Sequence, residues 1–267
     1  MPHVAALYRY PVKGCTPEAC AALTVLTDGR VAGDRVLGLR FADNVAADDA
    51  WSQKAGMLVL MNTPEIARLQ IHYDDQARRL RIDLDGRVLA DESIDGAGRS
   101  RIAAAVQEFA LGLEETPVRE LPEHLPLRLV GDGVTPRYHD VPAGEVTLHG
   151  RGSLTTLAKA LGDADVDELR FRSNIAVEDL EPWEELSWVG GAVRIGNLTF
   201  EVSRAKVRCL ATHANPTTGA RDRQVLTTLT HSLGQEQPTF AVALRSQGEG
   251  VIRVGDEVEL VRAPAPG

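Results

Sequence analysis

The stretch RLQIHYDDQARRLRIDLDGRVLA, residues 68–90, is where the fold class first becomes legible. Leu69, Ile71 and Tyr73, and then Leu80, Ile82 and Leu84, alternate with polar neighbours, the two-residue period of a strand with one buried face. Asp74-Asp75 and Asp85-Gly86 fall where turns belong. Strands over Arg68–Tyr73, Leu80–Leu84 and Val88–Ala90 are therefore predicted, folded back on one another. Outward toward the N-terminus, Val4–Tyr10, Ala22–Leu26, Asp34–Phe41 and Met57–Met61 are further short apolar runs broken by Gly, Asp and Thr, and read as strands. The run Arg99–Leu111 differs. Ile102, Ala105, Val106, Phe109 and Ala110 recur at helical spacing, and Gly112 stops the helix.

From Thr116 to Pro142 the chain carries Pro117, Pro122, Pro126, Pro136 and Pro142 with little periodicity, which marks a connector. Beyond it, Ser153–Leu161 reads as a helix with Ser153 as its N-cap, and Asp222–Leu233 as another. Ile175–Val177, Ala192–Ile195, Leu198–Val202, Val207–Thr212, Thr239–Leu244 and Val251–Val261 read as strands. Domains are expected at 1–115 and 116–262, with the connector at about 116–142 and a frayed tail at 263–267. Many strands and a few helices without regular βαβ alternation indicate a β-rich α+β protein rather than a doubly wound sheet.

Composition narrows the function classes. The net charge is −9, which argues against generic nucleic-acid or anionic-membrane binding. The basic residues are nearly all Arg; the lysines are Lys13, Lys54, Lys159 and Lys206. Arg forks suit planar phosphate recognition, although genome composition alone can produce the same bias. Cys15, Cys20 and Cys209 are odd in number and form no C-x-x-C, so a reduced, cytoplasmic protein without a disulfide framework is expected. No apolar run approaches the ~18 residues of a membrane span, and the start, MPHVAALYRYPVKG, is no signal peptide.

Phosphate-loop, dinucleotide, α/β-hydrolase and zincin signatures are missing. No two of the seven histidines pair at metal-binding spacing. The acidic run Glu178–Glu185 could hold paired carboxylates, but a solvated loop around Pro182 is the favoured account.

An ordered set of motifs is more specific. Phe171-Arg172-Ser173-Asn174-Ile175 precedes Ser187-Trp188 and Val193-Arg194-Ile195-Gly196. Arg208-Cys209-Leu210-Ala211-Thr212, Asn215-Pro216-Thr217-Thr218-Gly219 and Val251-Ile252-Arg253-Val254-Gly255-Asp256 follow. The set resembles the MOSC domain, the molybdenum-cofactor module named after the C-terminal part of molybdenum cofactor sulfurase. Tyr10-Pro11-Val12-Lys13-Gly14-Cys15 and Gly33-Asp34-Arg35 resemble the N-terminal β-barrel domain that accompanies it in the mitochondrial amidoxime-reducing component and bacterial relatives.

The resemblance implies a MOSC β-barrel domain packed with an N-terminal β-barrel-like domain. It makes Cys209 the catalytic residue and the protein ligand to molybdenum in a molybdopterin cofactor. A soft thiolate suits that metal, and the adjacent Arg208 would favour the thiolate electrostatically. From the residue alone, a small buried hydrophobe on a strand is the commoner fate of a free Cys. By the same resemblance Lys13, Gly14, Arg35, Arg172, Asn174 and Arg208 bind the cofactor, the cations meeting its phosphate or ring. The implied activity is reduction of an N-hydroxylated small molecule. Three cysteines cannot build an iron–sulfur cluster, and no flavin or NAD site is apparent. A separate flavoprotein, ferredoxin-type or haem protein would supply electrons.

Departures from the family pattern stand at Gly14 (often Ser), Ser173 (often Pro), His213 (usually Thr) and Asn215 (usually Asp). His213 reads either as a proton donor near the metal or as a plain turn residue. Two rival functions remain: a carrier of the cofactor or of sulfur as a Cys209 persulfide, and a non-catalytic MOSC binding module.

Overall fold

A computed structural model describes residues 1–163 and 165–263. Apart from Ala263, the tail expected to fray lies outside the described residues. The strands are β1 (His3–Arg9), β2 (Glu18–Cys20), β3 (Ala22–Val25), β4 (Gly38–Arg40), β5 (Leu69–Asp74), β6 (Arg79–Leu84), β7 (Arg87–Ser93), β8 (Arg128–Val130), β9 (Val146–Gly150), β10 (Ile175–Glu178), β11 (Ala192–Ile195), β12 (Leu198–Val207), β13 (Thr239–Ser246), β14 (Gly250–Arg253) and β15 (Val258–Arg262). The α-helices are α1 (Gly96–Leu111), α2 (Pro117–Glu120), α3 (Arg151–Leu161), α4 (Glu184–Ser187) and α5 (Val225–Thr227), with short 3-10 turns between elements. The fold is β-rich α+β, as expected from the sequence.

The hairpin sheet β5-β6-β7 forms as its alternation requires. Leu69, Ile71, Tyr73, Leu80 and Ile82 turn inward, and Gln70, His72 and Arg81 outward. Ile102, Val106 and Ala110 of α1 join that core. Arg99 ties α1 to β8 by donating to the Leu129 and Gly131 carbonyls at 2.7 and 2.8 Å.

The larger sheet runs β15-β11-β12-β13-β9-β10-β1-β2. Within it β9 and β10 are parallel and joined through α3, and the other pairs are antiparallel. The expected barrel is only approached, because no strand ladder closes the sheet. A single bridge, His3 to Glu257, and backbone bonds from Val4 to Asp256 and from Gly255 to Val4 (2.8 Å each) join β1 to the entry of β15.

Chain order and spatial grouping differ. Val4, Leu7, Leu23 and Val25 belong to the core of the large sheet, whereas Val118, Leu127 and Leu129 belong to the hairpin-sheet core. The chain thus crosses between the two cores near residues 7–12, 15–23, 31–36 and 130–146, and three of these crossings help to build the cleft described below.

Five local expectations need correction. Ser153 is not an N-cap: α3 starts at Arg151 after Gly150. The Ser153 hydroxyl instead donates to Glu185 (2.9 Å) and accepts from the Trp183 amide (2.8 Å). Glu185 itself is fully buried rather than part of a solvated loop. Met57–Met61 is not a strand, because the Asn62 side chain accepts from the Val59 amide and donates to the Met57 carbonyl, folding the segment into a turn. The strand expected over Val207–Thr212 ends at Val207. The next amide, Arg208, bonds the Pro238 carbonyl at 2.8 Å, and Pro238 has no N–H to return. The helix expected over Asp222–Leu233 begins only at Val225 and widens to π-type over Thr228–Ser232.

Candidate functional site

Three of the crossings, the end of a 3-10 turn and the end of β12 surround one cleft, with about 780 Å³ of empty space including its mouth. β1 leads into Tyr10–Gly14, whose backbone is laced to neighbours. The Arg35 amide donates to Tyr10 (2.7 Å), the Lys13 amide to Leu37 (2.9 Å) and the Tyr138 amide to Arg35 (3.0 Å). Segments far apart in sequence thereby present Lys13, Gly14, Arg35, His139 and Asp140 to the same space. The opposite wall comes from the end of the 3-10 turn Glu168–Phe171 and from the end of β12, which bring Arg172, Arg208 and Cys209.

Of the seven residues singled out in the sequence, Lys13, Gly14, Arg35, Arg172, Arg208 and Cys209 line this cleft. Asn174 does not. It is fully buried, and its amide is committed to protein. Oδ1 accepts from the Thr147 amide and hydroxyl (3.2 Å each), and Nδ2 donates to the Tyr8 carbonyl (3.1 Å). Asn174 therefore clamps β1 to the start of β9.

Cys209 is half-buried at the head of the 3-10 turn Leu210–His213, where Thr212 folds back on its carbonyl through both amide (3.0 Å) and hydroxyl (2.9 Å). Cys15, by contrast, is fully buried, and burial pushes its thiol up to about 12.

The arginines are pre-positioned. Arg35 and Arg172 both adopt left-handed backbone, at φ 54° and 52°, a conformation that is uncommon outside glycine and often marks functional positions. Their guanidinium carbons lie 5.0 and 4.3 Å from the Tyr10 ring centroid, within cation–π range. Arg35 pairs with the buried Asp34 carboxylate. Arg172 donates to the Cys15 carbonyl and Arg208 to the Phe171 carbonyl. Among the described residues neither forms an ion pair. Burial holds both guanidiniums below their ordinary pKa, the mark of a cation short of counter-charge.

Sequence reasoning missed Lys54, His139, Asp140, Glu145 and Lys206. Lys13 Nζ donates to the Tyr138 carbonyl (2.8 Å) and to Asp140 (3.1 Å). Burial pulls the Lys13 ammonium down, with Asp140 opposing. Lys206 Nζ meets Glu145 at 3.0 Å, and burial lowers its pKa as well. His139 is 4% exposed, its Nε2 has no partner, and burial followed by Arg35 lowers its pKa to about 3. The His-Asp pair inside the proline-rich connector was the available signal.

His213 lies outside the cleft lining. Its Nε2 accepts from the Leu226 amide at 3.2 Å, so the turn-residue reading describes its place.

Six cationic side chains and two carboxylates line the cleft of a chain whose net charge is −9. With the unpartnered Arg208 Nε and His139 Nε2, the donor set fits an anionic, hydrogen-bonding ligand rather than an apolar one.

The family model of the MOSC domain matches residues 135–259. Over that stretch the chain is similar to the MOSC domain. The family is tied to the molybdenum cofactor. The matched stretch contributes His139, Arg172, Arg208 and Cys209 to the cleft, and the residues before it contribute Lys13, Gly14 and Arg35. Among solved structures, the YUAD protein from Bacillus subtilis aligns over 99% of this chain and 98% of its own, at 10% identity and a TM-score of 0.45. YiiM from Geobacillus stearothermophilus aligns over 43% of this chain and 53% of its own, at 18% identity and a TM-score of 0.33. No curated protein matches the chain.

Among the described residues no group of three or more His, Cys, Asp or Glu side chains is placed to hold a metal ion, and no helix is long and apolar enough to cross a membrane.

Proposed function

We propose that the chain is a molybdenum-cofactor-dependent reductase of N-hydroxylated small molecules, supplied with electrons by a separate redox protein. The observation that carries this reading is the meeting of Cys209 with Lys13, Arg35, Arg172 and Arg208 around one cleft. Cys209 Sγ would be the protein's own ligand to the metal, a soft donor suited to it. The guanidiniums of Arg35, Arg172 and Arg208 and the Lys13 ammonium bind the phosphate and orient the pterin. The free Nε2 of His139 offers one further hydrogen bond. When bound, the cofactor supplies two-electron redox chemistry and an oxygen acceptor.

Gly14 is fitted to its place: a Cβ there would lie 2.7 Å from Val59 Cα, so the serine frequent in the family has no room without moving the 57–61 turn. Reducing an N-hydroxyl compound to the amine and water consumes two electrons and two protons. Lys206 Nζ, held against Glu145 in the cleft wall with its pKa lowered by burial, is the proposed local proton source.

The half-exposed Cys209 thiol also leaves room for a second reading, carriage of sulfur as a persulfide. The two separate in an anaerobic assay of protein made in a host with intact cofactor synthesis. A reductase turns over hydroxylamine or an amidoxime with reduced viologen and retains molybdenum. A carrier shows neither, and instead yields cyanide-labile sulfur that is lost in Cys209→Ser.

A further inference from the structure

The six cations of the cleft differ in what holds them. Lys13, Arg35 and Lys206 are paired with Asp140, Asp34 and Glu145. Arg172 and Arg208 each donate to a backbone carbonyl. Lys54 is half-buried, and among the described residues its ammonium has neither an ion pair nor a hydrogen bond. The loop that carries it is braced. Residues 42–56 leave and re-enter the fold at one point, where Arg40 bridges Met57. There the Phe41 amide and Asn44 Nδ2 donate to the Gly56 carbonyl at 3.2 and 3.3 Å. A Cβ at Gly56 would lie 2.2 Å from Asn44 Nδ2, so glycine keeps that closure. Inside the loop the fully buried Arg40 donates to the Ala46, Ala47 and Ala50 carbonyls at 2.7, 2.8 and 3.0 Å. The Tyr138 hydroxyl donates to the Asp48 carbonyl, Arg137 to the Asp49 carbonyl, and Trp51 Nε1 to the His139 carbonyl at 2.9 Å. A compact loop with its ends together and its middle tied down is an Ω-loop, a kind that frequently carries function.

We infer that Lys54 is a specificity-determining residue that binds a carboxylate carried by the substrate, so that the preferred substrates are anionic N-hydroxylated compounds. The inference rests on the reductase reading for the N-hydroxyl end. Tied on one side through Trp51 and on the other through Gly56, Lys54 is held at the cleft rather than swept through solvent, which lowers the ordering cost of binding. The loop's own carboxylates do not neutralise it. Asp43 faces His124 (3.1 Å), Asp48 faces Arg128 (3.2 Å), and Asp49 does not line the cleft. A phosphate monoester brings a charge of about −1.5 to −2, which the guanidiniums of Arg172 and Arg208, free of carboxylates, can match. Lys54 is the cation left over. A lone ammonium is a compact point charge, suited to one carboxylate rather than to a doubly charged group. Leu60, Met61 and Ala211 in the same lining offer apolar surface to the body that links the two ends.

The test compares the parent with Lys54→Arg, Lys54→Ala and Lys54→Glu. Molybdenum-loaded protein is assayed anaerobically, with reduced viologen, on benzamidoxime and on its 4-carboxylate. The parent should favour the carboxylate by roughly ten-fold or more in kcat/KM, chiefly through KM, as one charge-assisted hydrogen bond allows. Lys54→Arg should keep that preference, Lys54→Ala abolish it and Lys54→Glu reverse it. In parallel, benzoate is titrated onto each protein as purified by ligand-observed NMR, which needs no turnover, with benzamide as the neutral control. Benzoate affinity should fall by roughly ten-fold or more in Lys54→Ala. Pterin content after dialysis should match the parent's in every variant. No carboxylate preference in the parent, or the same preference in Lys54→Glu, overturns the inference, as does benzoate binding that no Lys54 variant changes. Loss of pterin in Lys54→Ala also overturns it, by assigning the ammonium to the cofactor. Benzoate binding that Lys54→Glu abolishes, in a chain that reduces neither amidoxime, would uphold the carboxylate site and sink the reductase reading instead.

Discussion

Arginine serves two opposite purposes in the hairpin sheet and in the cleft. On β6, Arg79 meets Asp91 at 2.6 Å and Arg81 meets Asp83 at 2.7 Å, and Arg101 of α1 meets Glu92 at 2.7 Å, all in reach of water. In the cleft Arg172 and Arg208 have backbone carbonyls and aromatic rings as neighbours but, among the described residues, no carboxylate. The hairpin sheet is electrostatically finished on its own. The cleft carries an unbalanced positive charge whose repulsion only an incoming anion relieves, and this difference locates function more surely than the fold does.

The strongest way to break the comparison is to remove both unpaired cleft arginines. One charge-assisted hydrogen bond contributes roughly 1.5–3 kcal/mol, about ten- to a hundred-fold in affinity. Arg172→Ala with Arg208→Ala should therefore lose more than a hundred-fold in pterin retention, read as cofactor left after dialysis. The cofactor-free double variant should melt no lower than the cofactor-free parent, since like-charge repulsion is relieved. A lower melting temperature would mean these residues hold the fold rather than a ligand.

A milder version adds the anion instead of removing the cations. Pyrophosphate should raise the melting temperature of the cofactor-free chain, by about 2.7 kcal/mol of stability at a hundred times its dissociation constant. Arg172→Ala should blunt the shift, and Arg81→Ala should leave it unchanged. An equal shift in all three proteins would point to a general salt effect.

His139 sharpens the comparison through pH. Its folded pKa is about 3, against an ordinary value of about 6.5. Below about pH 6.5 the unfolded chain takes up a proton that the folded chain refuses, so this residue makes stability fall with pH down to about 3. His139→Phe should remove up to one proton from that acid slope, about 1.4 kcal/mol per pH unit, and leave the pH dependence of stability above pH 7 unchanged. An unchanged slope in denaturant titrations across that window would show that His139 already charges in the folded chain.

The smallest effect belongs to the hairpin sheet. Arg79→Ala and Arg81→Ala should leave cofactor content untouched and melting within experimental error, because exposed pairs contribute little. A loss of cofactor in either would erase the distinction between the two regions.

The hairpin sheet was legible because its signal is local: the period of two and the turns Asp74-Asp75 and Asp85-Gly86 lie within one short stretch. Six of the seven residues singled out by motif, rather than by spacing, line the one cleft. What stayed hidden depends on distant partners. Asp140 meets Lys13 across 127 positions and Glu145 meets Lys206 across 61, and no local pattern announces either pair. Asn174 carried the motif signal, yet its amide is spent on Tyr8 and Thr147 backbone. The apolar run after Val207 suggested a continuing strand, and only the missing N–H of Pro238 shows why Cys209 leaves the sheet.

The central claim is tested most directly by molybdenum and pterin content, measured on protein from a host with intact cofactor synthesis. The parent chain and Cys15→Ser should carry molybdenum and extractable pterin in equal amounts. Cys209→Ser should lose the metal while keeping the parent's circular dichroism. Normal molybdenum in Cys209→Ser, or none in the parent, would contradict the reading of this cleft as a molybdenum-cofactor site.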